Sequence, residues 1–294
     1  GLTGALIILL MLGGMDVFDS ICHAFATTGT GGFSTKQASI EFYHSPYIEY
    51  VISIFMFVSG INFTLLLLFV NGKFRKFIHD AELKWYLWSV IGFTAFIAIV
   101  LYYNSSMGVE EAFRKSLFQV ASLHTSTGFA TADYMTWPSV LWGTLTVIMI
   151  IGACAGSTTG GMKCIRLLIL AKISRNEFKH ITHPNAVLPV RVNKQVISPS
   201  IRSTVLAFSF LYAVLIIVGT LAMMGMGVGL LESLGCTISS LGNMGPGLGL
   251  CGPAYSWNEL PDMGKWLMSF FMLLGRLELF TVLLLFSSDF WKKN

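Results

Sequence analysis

Charged residues are scarce in this chain. Aspartate, glutamate, lysine and arginine make up 12% of its 294 residues, whereas soluble domains carry about 25%. Hydrophobic residues make up 54% of the chain, and the mean hydropathy is +0.70. This balance excludes an ordinary soluble domain and indicates a protein embedded in membrane lipid.

The chain also lacks the strand-like alternation of polar and apolar residues that a membrane β-barrel would need. Its apolar residues instead form long runs, most of which approach or exceed the ~20 residues that an α-helix needs to cross a bilayer. The runs cover residues 47–70, 85–103, 137–152, 205–226 and 266–286. Because only helices and closed barrels satisfy the backbone in lipid, we predict an all-α polytopic membrane protein.

Cysteine is infrequent and irregularly spaced. The five cysteines form no C-x-x-C pair and no metal-binding spacing. We therefore interpret them as small apolar residues and expect no disulfide framework. No cofactor is predicted.

The positive charges are concentrated in a few segments. Of 19 lysines and arginines, four lie in residues 73–84, eight in residues 163–202 and two at the C-terminus. The positive-inside rule places the segments 73–84 and 163–202 in the cytoplasm and the glycine-rich stretches on the extracytoplasmic side. We thus expect a multi-pass protein of the cytoplasmic membrane, surrounded by membrane lipid, and the net charge of +4 gives no indication of nucleic-acid binding.

A repeated unit organises the chain. Three times, a short segment leads into a glycine-containing turn and then a long apolar run, and such internal repeats define an architecture. Aligning the units superimposes Gly32, Gly128 and Gly245, which are 96 and 117 residues apart. The residues that precede these glycines are Thr30 and Gly31, Ser126 and Thr127, and Asn243 and Met244.

The short segments 16–27, 109–124 and 230–240 cannot span a bilayer and are candidates for re-entrant helices. Non-helical backbone at membrane depth survives only inside protein or along an aqueous path. The partly negative C-terminal end of a half-helix favours a cation, and glycine allows successive carbonyls to face one axis. Such carbonyls can replace the hydration shell of a monovalent cation. Simple helical hairpins are the alternative, but three turns in register favour an ion filter.

Five motifs resemble those of one family. They are "TTGTGGFST", "HTSTGFATADY", "GACAGSTTGGMKCIR", "SLGNMGPGLG" and "GRLELFTVLLLF". Together they resemble the membrane subunit of the Trk/Ktr/HKT potassium-transporter superfamily, closest to the TrkH type. The resemblance implies four helix–pore-helix–filter–helix repeats around a pseudo-fourfold pore.

Only three filters are visible, so we expect the first repeat to be missing and the outer helix to be truncated at Gly1. The expected division is residues 1–78 for the repeat with the first visible filter, 79–180 for the middle repeat with a broken inner helix, 181–196 for a cytoplasmic linker and 197–294 for the last repeat.

The stretch "GACAGSTTGGMK" interrupts the middle inner helix. It is not a nucleotide-binding P-loop, because Met162 separates Gly161 from Lys163. A glycine-rich kink is one reading, while the resemblance implies an intramembrane loop that gates the pore. The gate residues would be Gly156, Ser157, Thr158, Thr159 and Gly160.

Arg276 stands ten residues into the last apolar run. Intramembrane charges normally face the bundle interior and have partners. Glu278 is two positions along and about 200° around the helix, so it is a poor partner within the helix. We predict that Arg276 instead binds free carbonyls of the gate loop, and a purely structural arginine is the alternative.

The resemblance implies potassium uptake, a homodimer and a cytoplasmic nucleotide-binding regulatory subunit. With glycine at the aligned filter position of all three units, we expect potassium to be preferred over sodium, although a transporter for another monovalent cation such as sodium stays open. Threonine hydroxyls near the turns raise the alternative of an intramembrane hydrolase, but no carboxylate–histidine pair accompanies them.

Overall fold

The computed structural model describes residues 1–292, which are almost entirely helical. The fourteen described α-helices are α1 (Leu2–Leu12), α2 (Val17–Thr28), α3 (Pro46–Ser59), α4 (Phe63–Val70), α5 (Phe74–Ile78), α6 (Ala81–Asn104), α7 (Val109–His124), α8 (Ser139–Ile151), α9 (Cys164–Thr182), α10 (Pro199–Gly225), α11 (Leu230–Gly242), α12 (Asp262–Arg276), α13 (Leu279–Leu284) and α14 (Ser288–Trp291). Short 3-10 helices cover Ser39–Tyr43, Tyr134–Thr136, Gly249–Cys251 and Trp257–Glu259.

Two of these helices are long and apolar enough to cross a membrane by themselves. They are α6, with 24 residues, and α10, with 27. The pair α3 and α4 would make a third span but is bent by 102°. The shorter apolar helices α1 and α8 complete the set. This confirms the all-helical class with apolar spans.

Two predicted continuous runs are broken, and on this point the sequence prediction was wrong. Run 47–70 bends at residues 60–62, because Asn62 begins a new helix by accepting a hydrogen bond from the Thr64 amide at 2.8 Å. Run 266–286 breaks after Arg276, since Glu278 has a φ of +66° that no α-helix accommodates. Arg276 is therefore the last residue of α12 and is exposed, rather than lying inside a continuous helix.

Each half-helix lies between the helices that precede and follow it in its own unit. Helix α2 packs against α1 and α3, α7 against α6 and α8, and α11 against α10 and α12. In addition, the inner helix of one unit packs on the next half-helix, α3 on α7 and α8 on α11. The units therefore follow one another in a consistent direction, and the half-helices occupy the interior.

The half-helices bury polar residues as well as apolar ones. Residues 118–124 of α7 and 235–242 of α11 are buried on all sides, although several carry hydroxyl groups. The Ser239 and Ser240 hydroxyls have no hydrogen-bond partner among the described residues, but other hydroxyls of the half-helices donate to backbone carbonyls. Ser116 donates to the Ala112 carbonyl at 2.6 Å, Thr237 to that of Ser233 at 2.8 Å and Ser122 to that of Phe129 at 2.6 Å. A hydroxyl satisfied in this way can be buried at little cost.

The predicted linker 181–196 contains structure that the sequence did not reveal. Helix α9 continues to Thr182, and strands β1 (Arg191–Val192) and β2 (Gln195–Val196) form a small antiparallel hairpin. Its turn is at Asn193 and Lys194, which both have positive φ. The hairpin contacts the start of α6 through Asn193.

Cys236 and Cys251 form a disulfide bond, which contradicts the interpretation of all five cysteines as small apolar residues. The chain reverses after the third turn, and the Gly247 amide donates to the Cys251 carbonyl at 2.6 Å. This reversal brings Cys251 back onto α11, a proximity that a spacing of 15 residues does not indicate. The other three cysteines are free.

Candidate functional site

The three turns that follow the half-helices have the same backbone conformation. Positive φ recurs at two aligned positions, separated by one residue. At the first position φ is 51° at Thr30, 53° at Ser126 and 53° at Asn243. At the second position φ is 66° at Gly32, 86° at Gly128 and 98° at Gly245. Non-glycine residues seldom adopt positive φ, so its recurrence at the aligned position is informative.

The backbone hydrogen bonds of the turns also repeat. In each turn, the amide of the middle residue donates to a carbonyl five residues earlier. The three bonds are Gly31 to Ala26 at 2.7 Å, Thr127 to Ser122 at 2.9 Å and Met244 to Ser239 at 3.0 Å. The sequence repeat is thus a structural repeat, although the three turns share few side chains.

The turns lie directly against one another. A Cβ atom built on Gly32 would lie 1.9 Å from the carbonyl oxygen of Thr127. In the same way, a Cβ on Gly128 would lie 1.9 Å from the carbonyl oxygen of Met244. A Cβ on Gly245 would have no heavy atom within 4 Å. The structure therefore brings all three predicted glycines together, in the order first, second, third.

The hydroxyl side chains of the turns bond within the protein. The Thr30 hydroxyl donates to the Gly29 carbonyl at 2.8 Å, and the Thr127 hydroxyl bonds that of Thr125 at 2.7 Å. The Ser126 hydroxyl accepts from the Gly160 amide at 3.2 Å. These side chains brace the turns and leave the carbonyls as the groups that can face an ion.

A second set of polar residues, which the sequence analysis missed, supports the first turn. The buried Asp19 carboxylate accepts from the Thr35 and Tyr43 hydroxyls, both at 2.7 Å, and pairs with Lys36 at 3.2 Å. The hydrogen bonds from Thr35 and Tyr43, together with Lys36, lower the pKa of Asp19 to about 2. Asp19 lies three residues after the Asp16 that precedes α2, where a carboxylate also complements the helix dipole.

His23 links the same half-helix to the segment after the first turn. Its Nδ1 lies 2.7 Å from the Asp19 carbonyl, and its Nε2 lies 2.9 Å from the Ser34 hydroxyl. His124 occupies a different repeat position and bonds Ser89 at 2.8 Å. The two histidines therefore stabilise different parts of the structure.

The loop 152–163 contacts the ends of all three half-helices. The Thr158 hydroxyl lies 3.5 Å from the Thr28 carbonyl at the end of α2. The Gly160 amide reaches Ser126 after α7, and a Cβ on Gly160 would lie 2.1 Å from the Gly242 carbonyl of α11. One short segment therefore underlies the whole set of turns.

Arg276 makes the contact that the sequence analysis predicted. Its Nη1 donates to the Thr158 carbonyl at 2.6 Å. Glu278 does not pair with Arg276 and instead bonds Arg166 at 3.1 Å. Lys163 adds a second cationic contact, because its ammonium group donates to the Thr159 carbonyl.

A cavity of ≈ 410 Å³ lies beside these groups. Loop residues, Lys163, Arg166, Arg276 and Glu278 line it. Cations therefore outnumber carboxylates in the cavity wall, which places a positive potential next to the loop. This potential opposes the entry of another cation.

The arrangement offers ion coordination rather than bond chemistry. Among residues 1–292, no group of three or more histidine, cysteine, aspartate or glutamate side chains is placed to hold a metal ion. The half-helices instead direct three C-terminal ends, each carrying a partial negative charge, at neighbouring carbonyl-rich turns. The fold and site define a helical membrane protein in which three half-helices end at adjoining carbonyl-rich turns.

The chain belongs to the TrkH family, described as a cation transport protein, which matches residues 8–293. This is a transport family, so the hydrolase alternative has no support.

Individual members of this family are similar to the chain over almost its whole length. The potassium uptake protein TrkH of the Escherichia coli Trk system is 37% identical over 99% of this chain, and TrkG of the same system is 35% identical over 98%. A crystal structure of the potassium transporter TrkH from Vibrio parahaemolyticus superposes with a TM-score of 0.93 at 34% identity, covering 99% of this chain. The chain spans 60% of the length of the E. coli TrkH and 63% of the crystallised chain.

Proposed function

We propose that the protein mediates potassium-selective uptake across the cytoplasmic membrane, through a filter lined by backbone carbonyls. The observation that carries this proposal is the set of three turns with one shared backbone conformation, touching at Gly32 and Gly128. The ion ligands would be the carbonyls of Thr30, Gly31, Gly32, Ser126, Thr127, Gly128, Asn243, Met244 and Gly245. The names of the relatives, which are potassium uptake proteins, support potassium as the cargo.

The turns would surround one pseudo-fourfold pore. In support, the first turn contacts the second and the second contacts the third, while Gly245 faces open space. The packing of α3 on α7 and of α8 on α11 follows the same order, from the first unit to the second and from the second to the third. A fourth unit of similar design would complete the ring between the third turn and the first.

The filter would face the extracytoplasmic side, and the basic segments 73–84 and 163–202 would face the cytoplasm. The positive-inside rule supports this orientation. The Cys236–Cys251 disulfide adds a second argument, because it lies beside the third turn and disulfides persist in oxidising compartments. Two independent features thus agree on the side of the membrane.

The loop 156–160 would act as the gate below the filter. Its contacts with all three half-helix ends support a position across the ion path. Arg276 would hold the loop closed through Thr158 and oppose cations by its charge. An opening motion would separate these two residues.

We also propose that two copies pair as a homodimer and that a cytoplasmic subunit, which senses a nucleotide, controls the gate. The basic cytoplasmic segments and the hairpin at residues 191–196 support a docking face on this side. Binding there would be transmitted to the loop through α9, which begins directly after it.

Ion flux into proteoliposomes tests the gate. Removing residues 156–160 is expected to raise potassium flux in the absence of any regulatory partner and to leave the preference for potassium unchanged, because the filter turns remain. Arg276→Ala should also raise partner-free flux. A purely structural arginine instead predicts poor expression and low flux. Lys265→Ala serves as a control, since Lys265 pairs with Asp262 at the other end of α12. A well-folded deletion with unchanged flux would reject the gate.

A further inference from the structure

The carboxylate of Glu82 joins the two sides of the gate loop. Glu82 lies in the first turn of α6 and is only 6% exposed. One of its oxygens, Oε1, accepts from the Ala155 amide at 2.6 Å and from the Ile165 amide at 3.1 Å. The gate residues 156–160 lie between these two positions, so a single atom ties both ends of the loop.

The two amides need such a partner. Non-helical backbone at this depth must be satisfied by protein, which applies to Ala155. Ile165 is the second residue of α9, whose first amides have no partner within the helix. Lys163, which precedes α9, provides no side-chain cap. Glu82 therefore caps α9 from another helix, and the same oxygen fixes the start of the loop.

The cytoplasmic hairpin is attached next to this carboxylate. Asp80 begins α6 by accepting from the Leu83 amide at 2.9 Å. The Asn193 side chain donates to Asp80 at 2.6 Å and accepts from the Ala81 amide at 2.8 Å. The hairpin turn thus bonds the two residues that immediately precede Glu82.

We propose that Glu82 is a positioning residue that holds the gate loop closed, and that the Asn193 contact is the point at which the cytoplasmic hairpin acts on it. This inference rests on the proposed gate. When the hairpin keeps the first turn of α6 in place, Glu82 holds Ala155 and Ile165 together. A force that moves the hairpin shifts this turn, releases one or both amides and frees the loop to leave the ion path.

Substitutions at position 82 test whether Glu82 acts through its acceptor oxygen or through its negative charge. Glu82→Gln keeps an oxygen that can accept both amides, so partner-free potassium flux should stay within about twofold of wild type. Glu82→Ala removes the acceptor, and Glu82→Asp is too short to reach both amides. Each should raise partner-free flux about tenfold or more, because the closed state loses one hydrogen bond to an amide in Glu82→Asp and both in Glu82→Ala, and one hydrogen bond of ordinary net strength corresponds to a factor of up to about ten. Glu177→Ala, at an exposed position of α9, is the matched control.

A merely structural role predicts the opposite direction, with lower flux and less folded protein in every variant that lacks the acceptor. If Glu82→Ala does not fold, Glu82→Asp decides the matter, since it retains the charge and most of the volume. Two results would overturn the proposed role of Glu82. One is a folded Glu82→Asp with wild-type flux, and the other is a Glu82→Gln whose partner-free flux is as high as that of Glu82→Ala.

Asn193 provides the second half of the test. Asn193→Ala should raise partner-free flux severalfold, because both of its hydrogen bonds to the start of α6 are lost. Lys194→Ala, in the same turn, should have no effect. If Asn193→Ala behaves as wild type while Glu82→Ala is open, the role of the hairpin is rejected.

The deletion of residues 156–160, measured in the same experiment, separates two outcomes: that Glu82 does not hold the loop, and that the loop is not a gate. A deletion that leaves flux unchanged rejects the gate itself. A deletion that raises flux while Glu82→Ala and Glu82→Asp keep wild-type flux rejects only the proposed role of Glu82.

Discussion

Single residues decide how closely the three turns approach one another. A side chain at Gly32 or Gly128 would collide with the carbonyl of the neighbouring turn, whereas Gly245 has free space around its Cα. All three glycines have positive φ, which costs other residues roughly 1–2 kcal/mol. The three positions therefore combine the same backbone strain with different packing.

We predict that Gly32→Ala and Gly128→Ala abolish the potassium preference and lower flux, because a carbonyl must move out of the filter. Gly245→Ser should weaken the preference without preventing folding, since only the strain of roughly 1–2 kcal/mol applies. Sodium and potassium flux into proteoliposomes, compared at equal amounts of folded protein, measures the difference. Equal effects at all three positions would contradict the packing argument.

Asp19 makes the stability of the folded protein depend on pH in the acid range. Its folded pKa of about 2 lies below the value of about 3.9 for an unfolded aspartate. Its contribution to stability is therefore complete above about pH 4 and is lost as the pH falls toward about 2. Thermal unfolding in detergent between about pH 6 and about pH 3 should show a smaller loss of stability for Asp19→Asn than for wild type. Identical pH profiles would show that Asp19 contributes nothing.

At the residue level, the sequence allowed one contact to be predicted and concealed others. A central arginine needs acceptors, and the interrupted helix offers free carbonyls, which together predicted the bond from Arg276 to Thr158. The contacts of Glu82 and Asp19 depend on residues that are distant along the chain or in loops without a repeat. No periodicity reports such pairs.

The elements follow from their length and polarity. Half-helices of 12, 16 and 13 residues were predictable because they are too short to span and end at turns that contain glycine. The break in the middle inner helix was predicted from its glycine-rich stretch, whereas the breaks near Asn62 and Glu278 were not. A single polar residue lowers the mean hydropathy of a long apolar run too little to mark a break. Hydropathy reports burial in lipid, not continuity of a helix.

The third half-helix is joined covalently to the segment behind its turn. The Cys236–Cys251 disulfide closes a loop of 15 residues that includes Asn243, Met244 and Gly245. A loop of this length corresponds to about 3 kcal/mol of stabilisation in the chain-entropy treatment.

Cys251→Ser, or treatment with a dithiol reductant, should lower the thermal stability of the protein accordingly. It should also broaden the selectivity of the filter, because the third turn loses its anchor. The control is Cys22→Ser, at a free cysteine on α2, for which we expect a change below about 0.5 kcal/mol. A Cys251→Ser protein as stable as the control would show that the bond is dispensable.

At the scale of the whole molecule, the units act together. Each half-helix is enclosed by the helices of its own unit, and α7 and α11 also pack against the inner helix of the preceding unit. The loop between α8 and α9 then contacts all three. The repeat in the sequence predicted the units, but their order of contact required the structure, because it depends on which turn each glycine faces.

Selection of potassium by the carbonyls of the aligned turns can be measured as potassium and sodium flux through the reconstituted protein under identical gradients, with empty vesicles as the blank. We expect potassium to pass in clear preference to sodium, and this preference to be lost in Gly128→Ala. Equal flux of the two ions through the wild-type protein, or a preference that survives in Gly128→Ala, would show that these carbonyls do not select the ion.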